Sequence, residues 1–163
     1  MATNVKTNPD TIILKGDPIL KEYPLEAPDI YGVGAITPGM LVQQTLTGTI
    51  EPHSSAAGAC SPLFAVEALN FSPDSKTMGG IDDDYDTDDQ TVKTAFCRPG
   101  DEVYALLEAG TGNDTGGAGV LLNSNGAGLL QVGTTNAVAR SLEDVDNDPG
   151  SGGLAKRIRV EVL

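Results

Sequence analysis

Glycine and proline interrupt this chain so often that little room is left for a long helix. There are 20 glycines and 10 prolines among 163 residues. Each proline removes a backbone donor, and each glycine favours a turn. The apolar residues between them fall in short runs, which suits many short strands and turns. Hydrophobic types make up 39% of the chain but aromatics only 4%, without tryptophan, so a core has to be assembled from Val, Leu, Ile and Ala. The length fits one domain with flexible ends. These features predict a mainly β protein, a small β-barrel or sandwich with an extended N-terminal arm and at most one short helix.

The arm is assigned to residues 1–35, where Pro9, Pro18, Pro24 and Pro28 accompany scattered charge and no sustained period. Its apolar groups, in Thr11-Ile12-Ile13-Leu14-Lys15 and Pro18-Ile19-Leu20, lack a local destination. They either wrap their own domain or dock on another subunit, and the second is preferred. Ile12, Ile13, Leu14, Ile19, Leu20, Tyr23 and Tyr31 are therefore the candidate subunit-interface residues. The domain proper is assigned to residues 36–163, launched by the Pro38-Gly39 turn. Thr45 to Ile50 continues the first strand or forms its hairpin mate, and Pro62 to Leu69 reads as a strand with a short helix as runner-up. Phe71 to Gln90 is a long acidic loop, and Thr91 to Cys97 alternates as a strand. Glu102 to Ala109 is the best helix candidate, because Val103, Leu106 and Leu107 fall at helical spacing, although a strand fits nearly as well. Val120-Leu121-Leu122 and Gly126 to Val132 form a hairpin turning at Asn123 to Gly126. Another strand lies within Thr135 to Leu142, and Lys156 to Leu163 alternates with period 2.

Charge narrows the function. The formal net charge is -13, from 23 acidic against 10 basic residues, so the surface repels phosphate and disfavours nucleic acid and anionic membranes as partners. No apolar stretch reaches the roughly 20 residues of a membrane span. Met1 to Lys6 lacks the apolar core of a secretion signal, which leads to the expectation of synthesis in a cytoplasm. Cys60 and Cys97 read as free thiols, with a bridge between them as the alternative. His53 is the sole histidine and reads as a solvated loop residue; without a second base a nucleophilic triad is not expected, and neither enzymatic activity nor a cofactor is. Gly110-Thr111-Gly112 and Gly116-Gly117-Ala118-Gly119 lack the Lys-Ser/Thr of a phosphate loop. Asp82, Asp83, Asp84, Asp86, Asp88 and Asp89 form one acidic cluster. Asp144, Asp146 and Asp148 form another, spaced like the start of a calcium loop, but Pro149-Gly150 follows and no Glu closes it. Solvated charge is the preferred reading, with a divalent ion at Asp144, Asp146 and Asp148 as the alternative. Lys156, Arg157, Arg159 and Arg140 gather near the C-terminal strand and read as a charge-balanced edge strand, with an acidic partner surface as the other option.

Taken in order, Ile36-Thr37-Pro38-Gly39-Met40-Leu41-Val42, Pro62-Leu63-Phe64-Ala65-Val66-Glu67, Gly80-Ile81-Asp82-Asp83-Asp84-Tyr85, Arg98-Pro99-Gly100-Asp101-Glu102-Val103-Tyr104-Ala105-Leu106-Leu107, Gly128-Leu129-Leu130, Ala137-Val138-Ala139 and Arg157-Ile158-Arg159-Val160-Glu161-Val162 resemble the head decoration (cement) proteins of tailed bacteriophages. The resemblance covers about residues 30 to 163 and rests on the order and spacing of these motifs. It implies a small β domain on the outer surface of the virion, often a homotrimer, that bridges major capsid protein subunits after synthesis in the bacterial host cytoplasm. The alternative from another class is a secreted or surface carbohydrate- or calcium-binding β module.

Overall fold

The computed structural model describes residues 9–25, 35–67, 80–82, 84–85, 91–110, 115, 117–145 and 156–163. Eleven strands and no helix occur among them: β1 (Ile13–Lys15), β2 (Ile19–Pro24), β3 (Val42–Gln44), β4 (Ile50–Pro52), β5 (Leu63–Ala65), β6 (Thr91–Phe96), β7 (Glu102–Leu107), β8 (Leu121–Ser124), β9 (Leu130–Val132), β10 (Ala139–Ser141) and β11 (Lys156–Val162). The largest sheet runs β1-β7-β11-β10-β8-β9, and β9 returns to pair with β7 at Leu130 and Leu107. Strands β7, β11, β10, β8 and β9 thus close into a five-stranded barrel, with β1 added at the edge of β7. Closure leaves those five strands no open flank and fills the interior with side chains.

Alternation supplies that filling. Val103, Ala105 and Leu107 of β7 and Ile158, Val160 and Val162 of β11 are buried in one cluster with Leu122, Leu130 and Ala139. Phe64 and Ala95 extend this cluster from a second sheet, ordered β2-β6-β5. The other face of that sheet presents Leu63, Ala65 and Val92 to a smaller cluster with Val42 and Ile50 of the β3–β4 hairpin. All three residues of β5 are consequently buried. Barrel, sheet and hairpin make three layers around two apolar seams.

Several expectations change here. Residues 102–107 form a strand, not a helix: β7 lies between β11 and the β1/β9 edge, and all of Val103 to Leu107 is buried. Periodicity cannot separate a strand buried on both faces from a helix segment. β11 is likewise no edge strand, being flanked by β7 and β10. Ser124 belongs to β8, and the turn into β9 is carried by Asn125, whose Oδ1 accepts the N–H groups of Ala127 at 2.8 Å and Leu129 at 3.1 Å. Within the segment read as an arm, residues 9–25 join the folded body through β1 and β2.

Candidate functional site

Strand β2 lies at one end of the three-stranded sheet, paired residue for residue with β6 from Ile19 to Pro24. Just beyond its end, a single bridge joins Leu25 to Ile50. Ile19 stands opposite Phe96, so both project from one face. On that face Tyr23 and Val92 pack into the smaller cluster, as does Leu63, the β5 partner of Phe96. Ile19 and Phe96 are 44 and 40% exposed on that face, and Leu20, which projects from the opposite face beside Ala95, is 66% exposed. Beside them a cleft of about 470 Å³ opens between β2 and the β3–β4 hairpin, with Val42, Leu63 and Phe96 supplying apolar walls and Lys21, Gln44 and Ser61 polar ones.

The expected interface residues separate into two groups. Ile12 is wholly enclosed in the main cluster, where it finds the local destination the sequence did not reveal. Its N–H donates to Glu67 Oε2 at 3.0 Å and its carbonyl accepts from Tyr104 N at 2.8 Å. Ile13 packs against the same cluster, Leu14 is half-buried, and Tyr23 packs against the smaller cluster. Only Ile19 and Leu20 present open apolar surface, while Tyr31 lies outside the described residues. Phe96 joins Ile19 on its face of the sheet although it reads in sequence as one more strand residue. Its place beside Ile19 follows from the β2–β6 pairing, which no local pattern encodes.

Arg157 holds three distant motifs together. Its Nη1 donates to the Pro38 carbonyl at 2.7 Å, and its Nη2 donates to the Ile81 carbonyl and to Asp82 Oδ1, the latter at 3.1 Å. The guanidinium also lies 5.9 Å from the ring centroid of Tyr104. Gly39 makes room for it: φ there is 94°, and a Cβ would sit 2.7 Å from Arg157 Nη1 and 2.9 Å from the Tyr104 carbonyl oxygen. Two of the four basic residues near the C-terminal strand are thus engaged within the chain, since Arg140 also pairs with Glu161 at 2.8 Å.

His53 is not solvated. It is buried, with Nδ1 2.7 Å from Ser124 Oγ. Ser124 Oγ also accepts from Gly126 N at 3.1 Å. Burial pushes the pKa of His53 down, and a hydrogen bond to the Ala59 backbone opposes the shift. Ser124 is fully enclosed, so the pair is a structural tie between the small-residue loop and β8. Both cysteines are free thiols, and burial with the nearby Asp101 carboxylate pushes Cys97 up to about 12. Asp144 is exposed, whereas Asp146 and Asp148 lie outside the described residues. No group of three or more potential metal ligands occurs among the described residues.

Compared with known proteins, the chain matches no family model and no curated protein.

Proposed function

We propose that this chain is a structural virion protein that binds the outer surface of a phage capsid and stabilises it by bridging major capsid protein subunits. The observation that carries the reading is the open apolar end of edge strand β2, where Ile19 is exposed beside Phe96 of β6 on one face and Leu20 is exposed on the other, while β2 itself is paired with β6 along its whole length. The ordered motifs that resemble decoration proteins supply the partner. An edge strand with open apolar side chains can take up an extended segment of a neighbour, adding main-chain hydrogen bonds to apolar burial. That burial contributes about 25 cal/mol per Å². Modest affinity per site is sufficient on a lattice, where many linked contacts raise the effective strength. A homotrimer, as the resemblance implies, would carry 3 × -13 = -39 charges, so the acidic surface faces screening solvent and the apolar end of β2 faces the head.

Co-sedimentation with expanded, DNA-free heads tests this. The wild-type protein is expected to pellet with heads, and Leu20→Asp to weaken binding about tenfold or more at an unchanged melting temperature. Wild-type protein that stays in the supernatant, or a Leu20→Asp variant that binds equally well, would overturn the proposal.

A further inference from the structure

Leu46 is the most exposed large apolar residue described, at 108%. It sits at the tip of the β3–β4 hairpin, and that tip is tightly held. Thr45 N donates to the Thr49 carbonyl at 2.9 Å, Gly48 N to the Thr45 carbonyl at 3.1 Å, and the Thr45 hydroxyl lies 2.8 Å from that of Thr47 and 2.6 Å from that of Thr49. A leucine fixed in this position is displayed to solvent by an ordered turn.

The same hairpin borders the cleft described above, and among the described residues neither surface carries a carboxylate. The tip, Thr45-Leu46-Thr47-Gly48-Thr49, carries no charge. The cleft has no carboxylate among its described lining residues, and its one lysine, Lys21, has no ion-pair partner among the described residues. With 23 acidic residues in the chain, most ways of bringing two copies together set carboxylates against carboxylates. Tip against cleft avoids that repulsion and offers an aliphatic knob to walls of Val42, Leu63 and Phe96, with threonine hydroxyls meeting Gln44 and Ser61 at the rim.

We propose that the Leu46 hairpin tip of one copy occupies the β2–β3 cleft of a second copy of this chain. Every copy carries both halves, so the contact is satisfied throughout a closed assembly. The inference does not depend on capsid binding and is tested with purified protein alone.

Cys60 lines the cleft and Cys97 is buried, so a thiol placed at the tip has one native reporter. Leu46→Cys treated with a short bismaleimide is expected to give covalent dimers and higher species on a denaturing gel, and Leu46→Cys/Cys60→Ser to give none. In sedimentation equilibrium at about 100 µM, where even a weak contact is populated, wild-type protein is expected to self-associate. Leu46→Asp, altering a fully exposed side chain, is expected to raise the dissociation constant about thirtyfold or more, as loss of a central apolar anchor does. A monomeric wild type, undiminished association of Leu46→Asp, or crosslinks formed only within one chain would each overturn the proposal. In particular, a monomer whose tip thiol crosslinks on capsids to the capsid protein and not to Cys60 of another copy would identify a capsid segment as the occupant instead.

Discussion

Two polar residues show how differently one contact can count. The ion pair of Arg157 with Asp82 joins a side chain that is 10% exposed to one that is 88% exposed, and such a pair contributes about 1 kcal/mol or less. The bonds from Arg157 to the Pro38 and Ile81 carbonyls matter more, because removing the guanidinium would leave two part-buried acceptors without that donor. Lysine cannot replace it, having no planar fork to span both carbonyls and Asp82 at once. His53 carries the consequence that pH reveals. Its ring is neutral and its pKa lies below the ordinary 6.5, so on acidification the unfolded chain takes up this proton before the folded one. The stability it contributes is complete above about pH 6.5 and declines as pH falls through that value toward the lower folded pKa. Urea unfolding of wild type and His53→Asn between pH 7.5 and 5.5 should show a wild-type loss on the acid side that the variant lacks. Parallel pH profiles would remove His53 as the cause.

At the scale of elements, the alternating C-terminal strand, the Pro38-Gly39 turn and the Thr91 to Cys97 strand were legible because each obeys a local rule. β7 was not, since its surroundings bury both faces and erase alternation. Nor was the division of the N-terminal segment legible. Ile12 and Leu20 look equally stranded in sequence, and only the pairing of β1 with β7 and of β2 with β6 decides that one enters the core while the other meets solvent. Leu46 had a readable signal, a leucine within Thr-Leu-Thr-Gly-Thr at a hairpin turn, whereas the His53 tie to Ser124 joins residues 71 positions apart and had none. This division also decides how the docking surface is best probed. Truncating residues 1–30 would remove β1, β2 and Ile12 together, so lost capsid binding would report unfolding. Ile12→Ala alone should destabilise the domain by about 2–5 kcal/mol, the usual cost of emptying a large aliphatic site in a core, read as a drop in the urea midpoint. A change below about 0.5 kcal/mol, typical of exposed positions, would show that Ile12 is not the anchor its burial indicates.

Across the whole molecule, a thin aromatic-poor core of two clusters is set against a net charge of -13. Like charges on a compact surface repel, and unfolding relieves that repulsion, so the acidic excess lowers stability in dilute buffer. Salt reverses this by shortening the screening length from about 30 Å at 0.01 M to about 3 Å at 1 M. The melting temperature should therefore rise steadily with sodium chloride across that range at pH 7.5, where His53 is neutral in both states and does not contribute. Calcium separates general screening from a built site. If Asp144 and its neighbours in sequence are solvated charge, calcium chloride at matched ionic strength should raise the melting temperature no more than sodium chloride does. A specific site would instead stabilise in proportion to the logarithm of calcium concentration above its dissociation constant, a dependence that screening cannot imitate. A calcium-specific rise at micromolar to low millimolar concentration would show that the spacing of Asp144, Asp146 and Asp148 is a ligand set, and would shift the functional reading toward a calcium-binding β module.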